Sequence, residues 1–343
     1  SDDIYLVENA AWAVMELGSV KENVAYRISR LLSDSNQNRR VLVQCLSRIW
    51  GKNSLESIQR LLNSGSLDFG IKGACMAAIS RIKQDQTFYD QLKQHLLLPN
   101  QNDRQCAVQD VIDAEAFDLL PDVIRSPISP SIKLRAIESI WPDDHHAFTD
   151  ISLIKTLDRI ILDEPRHLDL SNLQNYDYSF DKIFSTDFRV AYKALHYLTG
   201  QSSEYIWESL LPHKEKLKSD YGAIYFVMIL FRMVSGWNDS AMQYIKDLAF
   251  NCLSDSWPSN MKFRPAAISF LMSLDPSIYI NSLEKWIDHD SNPYWVSRYA
   301  VLLNLRGKFK DPLLIGFRNN FIAMQNDNNR FVRLKALRML DNN

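Results

Sequence analysis

Apolar and polar positions along this chain recur as amphipathic runs, each ending on Leu or Ile and usually followed within two residues by Gly, Lys or Pro. Apolar residues three and four positions apart share one face of a helix, so each run predicts a helix with one buried face. No stretch alternates apolar and polar residues at strand period for long, which predicts a fold that is almost entirely helical. The runs occupy residues 8–18, 39–51, 71–83, 104–113, 132–142, 188–200, 264–276, 295–307 and 330–340.

The closing residues of these runs recur at intervals of roughly 30 to 35 residues, as between Leu17, Ile49 and Ile82. Helical units repeated at this period are typical of an α-solenoid, in which each helix pair buries its apolar face against its neighbours. The pattern therefore predicts an all-α fold, a superhelical α/α solenoid of HEAT-like repeats. Because the first run already has the character of the second helix of a pair, and solenoids carry polar end caps, we expect residues to precede Ser1 in the natural protein.

The regularity of the repeats changes along the chain. Residues 1–145 hold the most regular runs, joined by short polar turns whose Ser, Asn and Asp residues can cap the following helix. After Trp141 and Pro142 the rhythm breaks, and residues 146–187 form an insertion that carries the aromatic residues Tyr176, Tyr178, Phe180 and Phe184. An aromatic insertion of this length is expected to pack over a surface or line a pocket. Residues 188–343 resume the repeats less regularly, and we expect one continuous solenoid.

Composition and charge narrow the class of protein. Hydrophobic residues make up 46% and charged residues 23% of the 343 positions, as in a folded globular chain. The formal net charge of −2 offers no basic stripe for nucleic acid. The longest uninterrupted apolar run, residues 223–231, is far shorter than the ~20 residues that span a bilayer, so no membrane insertion is expected.

Cysteines and histidines do not form a recognisable metal or disulfide pattern. Cys45, Cys75, Cys106 and Cys252 contain no CxxC pair, and they are interpreted as free, buried thiols in a reducing, cytoplasmic compartment. The best local metal candidate is the sequence DDHH at residues 143–146. Adjacent loop residues seldom converge on one ion, so a solvated turn between repeats is the favoured interpretation and no metal is expected.

Polar and aromatic residues within the repeat helices are the candidates for a binding site. Arginines at the start of a second helix can make hydrogen bonds between repeats, and aromatic rings can fill the core. Alternatively, the inner face of the solenoid is a groove in which rings contact a flat conjugated ligand and arginines bind its carboxylates. The candidates for such contacts are Arg104, Arg135, Trp141, Arg189, Trp295, Arg298 and Tyr299.

Two of the runs also carry a family resemblance. The run AAWAVMELG is a generic helical repeat, whereas RQCAVQDVID at 104–113 and SPISPSIKLRAIESIW at 126–141, followed by the Tyr-rich insertion, are more discriminating. Together they resemble the helical-repeat phycobilin lyases of cyanobacteria, the E/F type. Within that type the chain is most similar to the single-chain phycoerythrin lyases and lyase-isomerases.

The resemblance implies an enzyme that binds a linear tetrapyrrole, phycoerythrobilin, as its substrate and carries no prosthetic group. Such a lyase attaches the bilin through a thioether to a cysteine of its partner, a phycobiliprotein subunit such as phycoerythrin. Some members also isomerise phycoerythrobilin to phycourobilin during attachment. The attacking thiolate belongs to the partner, so the resemblance requires none of the four cysteines of this chain.

The chemistry that the resemblance implies suggests catalytic candidates. A buried carboxylate near the pyrrole nitrogens would stabilise a protonated tetrapyrrole, and Asp110 and Asp113, three apart, lie on one helix face. Isomerisation moves a proton, which suits Tyr192 and His196, four apart on one helix. The alternatives are that the two aspartates make hydrogen bonds between repeats and that His196 is a core histidine.

A non-catalytic function is the second hypothesis for this chain. Repeats of this kind also build scaffolds that hold partner proteins on their inner face. Covalent, acid-stable pigment on a co-expressed phycoerythrin subunit distinguishes the lyase from the scaffold.

Overall fold

The structure, a computed structural model, describes residues 4–17, 22–32, 39–65, 67–141, 150–170, 178–254, 256–258, 260–305, 307–308 and 311–341. Within these residues the regular structure is helical, with no β-strand. The helices pair and pack in repeating units, so the predicted all-α helical-repeat fold is confirmed. Contacts divide the chain into an N-terminal unit, Ser1–Ile128 with Ile132–Pro142, and a C-terminal unit, Ser129–Ser131 with Asp143–Asn343. A single continuous solenoid stays a prediction.

The N-terminal unit consists of two layers of helices. Its helices are α1 Ile4–Glu16, α2 Glu22–Leu31, α3 Arg39–Trp50, α4 Leu55–Leu62, α5 Phe69–Lys83, α6 Tyr89–His95, α7 Gln101–Asp113, α8 Leu120–Arg125 and α9 Pro130–Ile140, with 3-10 turns at Gly51–Ser54 and Phe117–Leu119. The second helices of the pairs, α1, α3, α5 and α7, pack side by side in that order and form what is called the second layer below. The first helices α2, α4 and α6 pack against α3, α5 and α7.

Helix α5 shows why the second-layer helices form where they do. It begins after Asp68, whose side chain accepts the backbone N–H of Ile71, and it ends at Gln84 in the left-handed conformation. Residues 73–80 are buried without interruption, because α5 lies between α3 and α7 and is also covered by α4 and α6. Small residues on α5, Gly73 and Ala74 among them, let the flanking helices approach it closely.

The C-terminal unit repeats the same two-layer arrangement. Its helices are α10 Asp150–Leu162, α11 Phe188–Leu198, α12 Ser203–Leu210, α13 Lys214–Leu217, α14 Tyr221–Met233, α15 Asp239–Cys252, α16 Phe263–Leu271, α17 Pro276–Ile287, α18 Trp295–Leu305, α19 Pro312–Ile315, α20 Arg318–Ala323 and α21 Arg330–Asp341, with 3-10 turns at Pro165–His167, Phe180–Phe184, Leu211–His213 and Met324–Asn326. The second-layer helices of this unit are α11, α14, α16, α18 and α21, packed in that order.

Helix α14 belongs to the second layer although it is absent from the amphipathic runs. Its residues from Ala223 to Phe231 are all buried, because α11, α13, α15 and α16 surround it. A helix that is covered on every side carries apolar residues all round, so it has no single apolar stripe to recognise. The uninterrupted apolar run 223–231 therefore belongs to the core of the C-terminal unit.

Helix α10 lies across the second layer of its own unit, against α16, α18 and α21. Asp158 on α10 accepts hydrogen bonds from Lys335 at 2.7 and 2.8 Å and from the Tyr299 hydroxyl at 2.8 Å. The aromatic residues that follow are packed as well: Tyr178 stacks on Tyr197 with ring centroids 5.3 Å apart. Phe180 and Phe184 pack against His213, and Tyr176 lies outside the described residues. Through α10 and the segment 178–184, much of the predicted insertion covers this unit's own helices.

Among the described residues, every helix is too short or too polar to cross a membrane.

Candidate functional site

Arginines near the start of second-layer helices bind backbone carbonyls of the preceding turn. Arg104 is fully buried and donates to the carbonyls of Leu98 at 2.9 Å and Pro99 at 2.8 Å. Arg298, also fully buried, donates to the carbonyl of Asn292 at 2.7 Å and makes a two-point ion pair with Asp327 at 2.7 and 2.8 Å. These side chains give hydrogen-bond partners to carbonyls in the turns between helices. The structure thus corrects their placement: neither Arg104 nor Arg298 lines an open groove.

Asp110 lies on α7 and is buried against the neighbouring helices of the N-terminal unit. Its carboxylate forms an ion pair of 2.7 Å with Arg40 on α3, across the intervening helix α5. Arg40 also donates to the carbonyls of Gly70 at 2.5 Å and Cys106 at 3.1 Å. Position 73 must be glycine for this arrangement, since a Cβ there would lie 2.1 Å from Oδ2 of Asp110. The pair therefore occupies the space of a missing side chain on α5.

Burial raises the pKa of Asp110 to about 7, although Arg40 opposes that shift. The carboxyl has 1% of its surface exposed, so desolvation of the charged form outweighs the nearby guanidinium. A group with this pKa can hold or release a proton near neutral pH. Contact with a ligand would require Arg40 to move aside, because Arg40 covers the carboxylate from the α3 side.

Asp113, one turn further along α7, is the centre of a second polar cluster. It accepts hydrogen bonds from Gln44 at 2.7 Å, Arg48 at 3.0 Å and Gln109 at 3.0 Å. Gln109 in turn accepts a hydrogen bond from the exposed Arg135 on α9 at 3.0 Å. The structure brings Asp110 and Asp113 to one face of α7, where both join α7 to α3 across α5. The interpretation as hydrogen bonds between repeats therefore describes their contacts.

The remaining candidates for ligand contact are half-buried or buried. Trp141 packs edge-on against Phe117 with centroids 5.2 Å apart, and Arg189 is half-buried in the first turn of α11. Trp295 is half-buried and packs against Tyr299, which is itself fully buried with its hydroxyl bonded to Asp158. Tyr299 is thus a core residue of the C-terminal unit, although the sequence predicted it as a ligand contact.

Tyr192 and His196, the two acid–base candidates, lie in different surroundings. The Tyr192 hydroxyl is fully buried and donates a short hydrogen bond to Asp163, whereas His196 is exposed. Four residues advance about 40° beyond a full helical turn. Tyr192 lies at one edge of the buried face of α11, and that advance carries His196 into solvent. Their catalytic role stays a prediction.

Asp163, which no local pattern in the sequence distinguishes, organises a buried polar cluster in the C-terminal unit. It directly follows α10 with a φ of +48° and has 2% of its surface exposed. Its Oδ2 accepts the hydroxyl of Tyr225 at 2.5 Å as well as that of Tyr192. Burial and the adjacent carboxylate raise the pKa of both phenols well above their usual value of 10. Both phenols therefore remain protonated donors.

Lys262 lies at the outer side of this cluster, immediately before α16. Its ammonium is 4.2 Å from the centroid of the Phe188 ring and 5.2 Å from that of Tyr225. Burial lowers the pKa of Lys262 to about 8, against the attraction of Asp163 and Asp220. No local pattern in the sequence could have found this group, because its members come from four separate elements.

The cysteines carry no activated thiol. Cys45, Cys75 and Cys252 are buried, and Cys106 is half-buried. Burial raises the pKa of Cys45 to about 11, raises that of Cys75 and of Cys252 to about 12, and also raises that of Cys106. All four are thiols at neutral pH. Among the described residues no His, Cys, Asp and Glu side chains group as they would around a metal ion, and the DDHH sequence at 143–146 lies outside them.

Two proteins are similar to this chain over most of its length. The chain is 29% identical over 348 residues to the bilin biosynthesis protein CpeY of Synechococcus sp. (strain WH8020). This alignment covers 98% of this chain and 81% of the relative. It is also 29% identical over 344 residues to the uncharacterized phycocyanin operon protein Y of Pseudanabaena tenuis (strain PCC 7409), covering 97% and 77%. No protein-family model matches the chain. These two relatives confirm, over nearly the whole chain, the resemblance to the E/F type of phycobilin lyase.

Proposed function

We propose that this protein attaches a linear tetrapyrrole to a cysteine of a phycobiliprotein subunit through a thioether. The observation that carries the proposal is the similarity to a bilin biosynthesis protein over 98% of the chain, on an all-α repeat fold. The more specific part of the proposal is that the bilin is phycoerythrobilin, that the partner is a phycoerythrin subunit, and that attachment includes isomerisation to phycourobilin.

Attachment is an addition in which no oxidant or reductant is needed. The partner's sulfur bonds to the ethylidene carbon of ring A, the electron pair of that double bond passes into the tetrapyrrole, and the tetrapyrrole takes up the proton that the thiol gave up. The protein must therefore hold the bilin, support its protonated form and admit a thiolate from outside. The protonated state of its own four thiols supports the assignment of the nucleophile to the partner.

Asp110 and Asp113 have a defined place in this proposal. With its pKa raised to about 7, Asp110 can give a proton to the tetrapyrrole if the Arg40 ion pair opens. Asp113 holds Arg48 and, through Gln109, the exposed Arg135, which are cations available to ligand carboxylates. For isomerisation, Tyr192 is enclosed, so His196 is the open acid–base group of the two.

The test is co-expression with a phycoerythrin subunit and a source of phycoerythrobilin. We expect covalent, acid-stable pigment on the subunit at a yield well above that of the subunit and bilin without this protein. A pigment absorbing further to the blue would identify isomerisation, since the conjugated system becomes shorter. Yield equal to the control, together with stable binding of the subunit, would favour the scaffold function instead.

Removing the protein's own thiols should leave attachment intact. Each of the variants Cys45→Ala, Cys75→Ala, Cys106→Ala and Cys252→Ala should give pigment within about twofold of the wild-type yield, because none of these thiols ionises at neutral pH. The measurement is pigment per folded protein after acid denaturation. Loss of attachment in the half-buried Cys106→Ala variant, with unchanged melting, would show that the bilin passes through this chain's own thioether.

A further inference from the structure

Lys262 is half-buried in the C-terminal unit, and its charge, unlike those of Lys335 and Lys308, has no hydrogen-bond acceptor in the part of the chain that the structure describes. Lys335 donates to Asp158, and Lys308 donates to the carbonyl of Met272. Among the described residues, no acceptor lies within hydrogen-bond distance of the Lys262 ammonium and no carboxylate within ion-pair distance. It rests on aromatic rings, 4.2 Å from the Phe188 centroid. An ammonium has three donors, and here none of them has an acceptor among the described residues, so they can serve a ligand.

The surroundings explain how a cation is kept there. Asp163 and Asp220 attract the ammonium, but Oδ2 of Asp163 already accepts the two phenols of Tyr192 and Tyr225. Those hydrogen bonds fix the carboxylate in place beneath the rings. The ring of Phe188, tilted against Tyr192 with centroids 5.8 Å apart, is held by the same cluster. Lys262 and Phe188 are both half-buried, so this part of the unit reaches the surface.

We propose that Lys262, held over Phe188 by the Asp163 cluster, is a subsite that binds a carboxylate of the linear tetrapyrrole. This inference rests on the proposed function and names the part of the substrate that the C-terminal unit recognises. The ligand carboxylate accepts hydrogen bonds from the ammonium, and the Phe188 ring excludes water from the opposite side. A charge-assisted hydrogen bond in a partly desolvated position contributes more than a neutral one.

Binding of free phycoerythrobilin to the purified protein, followed by its absorbance and fluorescence, tests the subsite. Lys262→Met, which keeps the length of the side chain, should weaken binding by about tenfold or more. Lys262→Arg should keep affinity within about threefold. Lys214→Met is the matched control, because Lys214 also lies over rings, 4.4 Å from the Trp207 centroid, and belongs to α13 of the same unit. Its affinity should equal that of the wild type.

Folding is followed on the same samples. Because Lys262 is partly desolvated and lacks an acceptor, we expect Lys262→Met to melt at the same temperature as the wild type or higher at pH 7. A weaker affinity in a variant of unchanged stability separates binding from folding.

The pH dependence provides a second readout. The groups facing Lys262 are Asp163 after α10, Asp220 before α14, and Tyr225 on α14, whose raised pKa keeps its phenol protonated. A carboxylate ligand binds the protonated ammonium, so Kd should be constant from about pH 6, where the ligand carboxylate is ionised, up to the Lys262 pKa of about 8, and rise above it. In Lys262→Arg the guanidinium stays charged, and this rise should be absent.

The possible results separate the subsite from the function. If the wild type attaches pigment but Lys262→Met binds the bilin as the wild type does, the subsite is overturned and the proposed function stands. The dimethyl ester of the bilin should bind wild type and Lys262→Met equally, and a difference between them would also overturn it. If Lys262→Met keeps bilin affinity but loses the phycobiliprotein subunit, the lysine serves a partner carboxylate instead. A wild-type protein that neither binds nor attaches bilin overturns both proposals.

Discussion

Replacing Asp163 with alanine should lower the free energy of unfolding of the C-terminal unit by about 3–5 kcal/mol. The Asp163 carboxylate accepts the buried hydroxyls of Tyr192 and Tyr225, and an alanine leaves both donors without that acceptor. A buried polar group that loses its partner costs about 1–3 kcal/mol. The φ of +48° adds strain, since alanine tolerates the left-handed region less well than aspartate does. Urea denaturation followed by tyrosine and tryptophan fluorescence measures the change.

Asp163→Asn is the matched control. Its amide oxygen can accept both phenols, and asparagine adopts positive φ readily, so most of the stability should be retained. The negative charge is lost, which removes an attraction that raises the pKa of Lys262. Equal losses in Asp163→Ala and Asp163→Asn would mean that charge, and not hydrogen bonding, holds the cluster together. A loss below about 1 kcal/mol in Asp163→Ala would contradict the assigned role of this residue.

Gly73→Ala should destabilise the N-terminal unit by about 2–3 kcal/mol and disrupt the Arg40–Asp110 ion pair. The new Cβ would lie 2.1 Å from Oδ2 and 3.0 Å from Cγ of Asp110, so the carboxylate must move. That carboxylate is enclosed and is held from the other side by Arg40, which leaves little room for adjustment. In a helix interior alanine is otherwise preferred over glycine by about 1 kcal/mol. The measured loss of stability is therefore the cost of the clash minus this gain.

Gly70→Ala on the same helix is the control for Gly73→Ala. A Cβ at position 70 would approach Oδ1 of Asp68 to 3.3 Å, and its next neighbours lie 3.9 Å away. We expect a stability equal to the wild type or slightly higher. In an Asp110→Ala background the cost of Gly73→Ala should shrink, since the clashing carboxylate is gone. Equal costs of Gly73→Ala in both backgrounds would contradict the contact as the cause.

The candidate residues divide according to burial, which the sequence could not show. Arg104 and Arg135 have the same side chain, but Arg104 is enclosed against carbonyls and Arg135 is exposed beside Gln109. Tyr192 was a candidate acid–base group, and Tyr299 was a candidate ring for contact with a conjugated ligand. Each proves to be a buried donor to an aspartate at the end or in the middle of α10. Only the packing of α10 on the second layer explains both positions.

The polar cluster around Asp163 had no signal in the sequence. Asp163 is one aspartate after a helix, and Tyr225 lies 62 residues away in an apolar run. Lys262 lies between two helices, in a stretch without any motif. Local patterns report on neighbours three or four residues apart, whereas these contacts form only when separate helices pack. Gly73 is similar, because the carboxylate that requires it comes from another repeat.

The sequence by itself determined that this protein is a helical repeat, where most of its second-layer helices lie, and which family it resembles. These features are readable in the sequence because helical periodicity, caps and turn residues depend on residues only a few positions apart. The same signals also recur in each repeat along the chain. The tertiary structure alone decided which polar side chains are enclosed, which carboxylate each one meets and which cation is left open. Those outcomes depend on contacts such as that of Asp158 with Lys335, 177 residues apart. Burial and partner choice follow from which helices pack together, and no local pattern encodes them.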